Sequence, residues 1–188
     1  MGAMEFSSLK NHLLIAMPGL HDGIFDRTVI VVCEHNEQGA MGVVVNRLLD
    51  LNMSEVLKAV DITPSEEMIR RPVYWGGPVS PQHGFVLHQP VGEWQSSLVV
   101  SESLALTSSP DILGAIAEHR GPEQFLLTLG YAGWGDGQLE REIAENSWLH
   151  GPVDPLVLFQ LPPGERWQEA ARVLGIDMRL LSGAAGHA

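Results

Sequence analysis

The sequence predicts an α+β fold, a mixed sheet with flanking helices in a single compact domain covering residues 1–188. Three observations lead there. Short apolar runs of four to eight residues, rich in Val, Ile and Leu and bounded by Gly, Pro, Asn or Asp, dominate the first half of the chain. Two of them, "TVIVVC" and "GVVV", are apolar on both alternating faces, as central strands covered on both sides are. Helical signals fall among and after these runs without the strict alternation of a uniform parallel sheet.

In chain order, strands are expected at residues 12–17, 28–34, 41–46, 73–75, 85–88, 97–100, 125–130 and 156–161. The second and third flank "HNEQG" and read as a hairpin turned by Asn36 and Gly39. A helix should start at Asn52, where Glu55 three residues on completes a capping box. In "SSPDILGAIAEHRGP", Ser109 is the cap, Pro110 takes the first helical position, and Gly121 ends the helix. Further helices are expected over 136–146, with Asp136 as cap, and over 165–174, stopped by Gly175.

Composition excludes several classes. The chain has 188 residues, 45% hydrophobic and 18% charged, which fits one packed domain and not a disordered chain. No apolar run approaches the ~18 residues that span a bilayer. The N-terminus lacks a basic region, and its apolar stretch at 13–17 is too short for a signal peptide. A single cysteine excludes an internal disulfide framework and fits a reducing compartment, so a soluble cytoplasmic protein is expected. The net charge is −12, from 23 acidic and 11 basic residues, and among the basic residues only Arg70 and Arg71 are adjacent. A strong duplex binder makes roughly 6–10 phosphate contacts, so direct nucleic-acid binding is not expected.

Two stretches carry candidate chemistry. In "CEHNEQGAMGVVVN", residues 33–46, strand geometry puts Cys33 and His35 on one face and Glu34 on the other. Same-face neighbours lie roughly 6–7 Å apart, so Cys33 and His35 are catalytic candidates without being a preset nucleophile–base pair. Glu34 opposes thiolate formation, and the flanking valines favour a buried core thiol. In "LGYAGWGDGQLEREI", residues 129–143, a strand runs through four glycines into a helix, a turn that can offer amides to an anion. It matches neither nucleotide fingerprint: Asp136 and Gly137 stand where a Walker loop has Lys and Ser/Thr, and no G-x-G-x-x-G occurs. A structural strand-to-helix turn is the favoured reading. Arg27, Asn46, Trp134, Gln138 and Glu140 are the candidate binding residues, beside His83 and His88. No G-x-S-x-G elbow, H-E-x-x-H or D-x-D loop is present, and no metal or other cofactor is expected.

The segments "LLIAMPGL", "FDRTVIVVCEHNEQGAMGVVVNR", "WGGPV", "GFVLH", "LTSSPDIL", "LGYAGWGDGQLEREIAENSWL" and the tail "LSGAAGHA" occur in an order that resembles the YqgE/AlgH family of bacterial proteins over nearly the whole chain. The resemblance implies a compact α+β architecture with a partly barrel-like sheet. It also implies a regulatory role connected with alginate biosynthesis and transcription, and no agreed catalytic residue. His83 stands where members of that family commonly carry Arg, which weakens an anion-binding role for its turn. The reading that follows is a non-enzymatic cytoplasmic regulatory or binding protein, acting through a protein or small-molecule partner and affecting transcription indirectly. Two alternatives stand beside it: a redox-responsive protein or enzyme using Cys33, and a regulator that contacts DNA directly.

Overall fold

The computed structural model describes residues 6–19 and 23–185. The fold is α+β, with ten strands and six α-helices among the described residues. By contacts the chain divides into two compact units, Met1–Gly42 with Gly133–Ala188, and Val43–Ala132.

In the unit made from both chain ends, β1 (His12–Ala16) pairs antiparallel with β2 (Val29–Asn36) on one side and β10 (Trp148–Pro152) on the other. The run of six residues from Thr28 to Cys33 is wholly buried, so this strand is apolar on both faces, as "TVIVVC" requires. A two-residue turn, Glu37 and Gln38, leads into β3 (Gly39–Val44), and the Gln38 amide donates to Asn36 Oδ1 at 2.8 Å in an Asx turn. Helix α5 (Pro163–Val173) covers this sheet, and its Trp167 Nε1 donates to the Ala16 carbonyl at 2.9 Å. It ends as expected at Gly175, φ +81°.

In the central unit, β4 (Leu48–Asn52), β5 (Pro72–Trp75), β9 (Gln124–Trp134), β6 (Val79–Gln89), β8 (Ala105–Thr107) and β7 (Ser97–Val99) pair in that order. All pairings are antiparallel except β5 with β9, which makes the sheet mixed. Its core gathers Met53 and Leu57 of α1 (Met53–Ala59), Ile112 and Ile116 of α2 (Pro110–Ala117), Met68, Val73, Val86 and Leu127.

Several local expectations change. Residues 156–161 are not a strand: α4 (Pro155–Phe159) takes the first four and a turn the last two, because Asp154 caps the Leu156 amide at 3.0 Å and Pro155 pre-sets the first turn. Asp136 caps nothing. Gly137, in the left-handed region at φ +69°, precedes α3 (Gln138–Ala144), and Asp136 is exposed. Ser109 holds the cap position, but its hydroxyl donates to Asp111 Oδ1 and accepts the Ser96 amide instead. The capping box of α1 forms in both halves, Glu55 N–H to Asn52 at 3.1 Å and Asn52 N–H to Glu55 at 2.8 Å. Strands β4, β8 and β10, a 3-10 turn at Glu66–Arg70 and α6 (Met178–Ala185) were not anticipated.

Candidate functional site

The hairpin and the glycine-rich turn meet within the unit built from the chain ends. Gly39 is a point of close approach: at φ +140°, a Cβ there would lie 2.2 Å from the Trp134 carbonyl oxygen, so no side chain fits. Strand alternation places Cys33 and His35 inside and Glu34 half-exposed. Cys33 is fully buried and its S–H donates to the Val31 carbonyl at 3.6 Å. Burial, with a smaller contribution from Glu34 and against the pull of Lys10, pushes the thiol up to about 12. A nucleophilic or redox-sensing cysteine needs the opposite, an accessible thiolate. Cys33 is therefore a packing residue.

Both ring nitrogens of His35 are engaged. Nδ1 accepts the Leu9 backbone N–H at 2.8 Å, so the ring proton sits on Nε2, which donates to the Glu140 carboxylate in the first turn of α3. Ser8 Oγ donates to the His35 carbonyl at 3.0 Å, and Phe6 meets the imidazole edge-on at 4.8 Å between centroids. His35, 4% exposed, thus ties three segments of backbone together. A general base needs a lone pair aimed at substrate, and this imidazole has none to spare.

The turn is closed by its own side chains. Gln138 Oε1 accepts the Gly135 amide at 2.9 Å, and Gln138 Nε2 donates to Glu142 Oε2 at 2.9 Å. Glu142 Oε1 accepts two indole N–H groups, Trp134 at 3.2 Å and Trp148 at 3.0 Å. The two indoles pack edge to face with centroids 6.3 Å apart. The Gly135 amide that could have cradled an anion is taken by Gln138. Glu142 is the hub that sequence reasoning missed; its only signal was the Gln138-to-Glu142 spacing of four on one helix face.

Arg27 is exposed at φ +55° with its guanidinium 5.4 Å from the Trp167 ring centre, a cation–π contact. Asn46, half-buried, belongs to the central unit, whereas Arg27, Trp134, Gln138 and Glu140 belong to the other. His88 is fully buried in β6. Its Nδ1–H donates to the Pro90 carbonyl at 3.0 Å and its Nε2 accepts Thr107 Oγ1–H at 2.7 Å, while Thr107 also meets Ser97 Oγ at 2.7 Å. Burial, partly offset by the Pro90 bond, lowers its pKa below the ordinary histidine range. Among the described residues no three His, Cys, Asp or Glu side chains converge as a metal site.

The central unit also carries an open cleft of about 430 Å³ between α1, the start of α2 and the Pro81–Gly84 stretch of β6. Val56, Ala59 and Val60 form one wall, and Leu113 and Leu129 another. Gln82, His83 and Ser108 supply polar groups. Sequence reasoning noticed His83 but not the cleft, because its walls come from segments separated by up to 78 positions, from Leu51 to Leu129.

Comparison with known proteins adds a consistent set of relatives. The AlgH-like family profile matches residues 13–179. A UPF0301 protein of Thioalkalivibrio sulfidiphilus is 54% identical over 182 residues, covering 97% of this chain and 98% of the relative. Another from Methylococcus capsulatus is 52% identical over 184 residues, covering 97% and 98%. The solution structure of the AlgH protein from Pseudomonas aeruginosa aligns with a TM-score of 0.81 at 48% identity over 100% of both chains. The crystal structure of protein DIP2367 from Corynebacterium diphtheriae shares the fold, with a TM-score of 0.74 at 22% identity over 96% of this chain and 94% of that one.

Proposed function

The chain belongs to the AlgH-like family, and from that premise we propose that it is a non-enzymatic cytoplasmic binding protein with a regulatory role, responding to a small molecule held in the cleft of the central unit. The cleft carries this reading. Its volume of about 430 Å³ falls in the size range of small-molecule sites, and such sites combine apolar walls with a few polar groups that orient the ligand. The walls favour an apolar body, at roughly 25 cal/mol per Å² covered. Gln82, His83 and Ser108 suit one hydrogen-bonding head group.

In this reading the hairpin–turn residues are scaffold. His35, Gln138, Glu140 and Glu142 spend polar atoms on backbone amides, on indole groups and on one another, and Cys33 is held as a buried thiol. Any effect on transcription is indirect, since a chain of net charge −12 with scattered basic residues is poorly matched to a phosphate backbone.

The test is a titration of the isotopically labelled full chain with small compounds that join an apolar body to one hydrogen-bonding group, read by amide shifts. Residues 51–60, 81–84 and 108–113 are expected to shift together. Ala59→Phe, placed from an exposed helical position into the cleft, should weaken binding about tenfold or more while leaving the thermal midpoint in place. Binding that shifts other residues only, or that survives Ala59→Phe unchanged, overturns the reading.

A further inference from the structure

On the unit built from the chain ends, β1 and β10 carry an arrangement unrelated to the cleft. The antiparallel register sets His12 opposite Pro152 and Leu14 opposite His150, so the two histidines are diagonal neighbours on one face of the sheet. Diagonal positions lie about 7–8 Å apart, within reach of long side chains. Here the imidazoles turn toward each other: the ring centroids are 5.5 Å apart at 42°, and the two Nδ1 atoms are 3.4 Å apart. His12 is half-buried and His150 exposed, so the gap between them opens to solvent.

We propose that His12 and His150 chelate a divalent transition-metal ion of the zinc type through their Nδ1 atoms. The spacing is the argument. Two nitrogens each 2.0–2.1 Å from a tetrahedral zinc are about 3.3–3.4 Å apart, against the observed 3.4 Å. A right-angled arrangement at the same bond length needs about 2.9 Å, so the pair suits a tetrahedral ion better than a square-planar or octahedral one. The metal sits off the line joining the nitrogens, at the apex of the triangle they subtend. Each ring therefore turns by about 35° to aim its lone pair. In the free pair one Nδ1–H faces the other Nδ1 lone pair; on binding, that ring carries its proton on Nε2 and both Nδ1 lone pairs go to the ion. Paired strands fix the backbone of both residues, so binding asks only for ring rotation and the change of tautomer. No third His, Cys, Asp or Glu joins the pair among the described residues. Water completes the coordination sphere, and the site is open and exchangeable.

The experiment uses the untagged full chain and zinc chloride, with binding measured by calorimetry and by histidine ring NMR signals. The wild-type protein should bind one zinc ion, perturb the His12 and His150 rings first, and gain thermal stability that grows with zinc concentration. His12→Ala and His150→Ala should each weaken binding about tenfold or more, and the double variant should lose little beyond either single one, because a chelate fails when either arm is removed. His119→Ala, at an exposed histidine of the central unit, should bind as wild type. The melting midpoints of the metal-free variants verify that folding is intact. Additive losses from the two single variants, or zinc affinity unchanged in the double variant, would overturn the assignment.

Discussion

Glu142 shows at the scale of one residue how the glycine-rich turn is held together. Its carboxylate accepts from two largely buried indoles and an amide, so one side chain fixes the end of β9, the start of α3 and β10. Truncation would leave two indole N–H groups without an acceptor, each costing about 1–3 kcal/mol. Glu142→Ala should therefore lower the unfolding free energy by about 2–4 kcal/mol, while Glu142→Gln, which keeps an acceptor oxygen, should lose markedly less. Urea denaturation of both variants measures the difference; equal losses would show that charge, not acceptance, is what matters. His35 is a comparable case. Its ring nitrogens hold Leu9 and Glu140, and the same engagement that makes it structural removes it from acid–base duty.

At the scale of the element, α1 is only seven residues long, too short to persist without its caps and its packing. Its capping box satisfies two terminal amides, and Met53 and Leu57 anchor it in the core. Val56 and Ala59 are then left as a wall of the cleft. Asn52→Ala should cost about 1 kcal/mol and speed hydrogen exchange of the amides of residues 53–57. An unchanged exchange rate would mean that tertiary packing alone holds the first turn. The hairpin β2–β3 obeys the same logic: a two-residue turn sets its register, and Gly39 lets it sit against Trp134.

At the scale of the whole molecule, His88 couples stability to pH. Its folded-state pKa lies below the ordinary value of 6.5, because burial disfavours the imidazolium. The unfolded chain then binds a proton that the folded chain refuses. The stabilisation is fully present above about pH 6.5 and is lost as pH falls through the folded value, with a slope of at most about 1.4 kcal/mol per pH unit. His88→Gln should be less stable at pH 8, having lost the Pro90–Thr107 bridge, yet show a flatter decline between pH 6.5 and 5. Chemical denaturation across that range decides it; parallel profiles for the two proteins would remove His88 as the titrating group. No helix among the described residues is long and apolar enough to cross a membrane.

What the sequence by itself determined was local and repetitive. The α+β class, the buried run of β2, the presence of the β2–β3 hairpin, the Asn52 capping box and the Pro110 helix start all rest on signals within a few residues, where backbone sterics and hydrogen-bond demand act directly. The family was also legible, because a specific order of short motifs survives without any knowledge of contacts. Residues 156–161 show the boundary of that method: an apolar run of strand length became α4 because Asp154 and Pro155 started a helix. The sites belong to tertiary structure. His35 met Glu140 across 105 positions, and His12 met His150 across 138. The cleft drew its walls from segments far apart in the chain. Those juxtapositions follow from strand pairing and core packing, long-range choices that no local pattern encodes. Of the opening stretch 33–46, the sequence determined the hairpin; only the fold decided that its thiol is buried and its histidine is committed to Leu9 and Glu140.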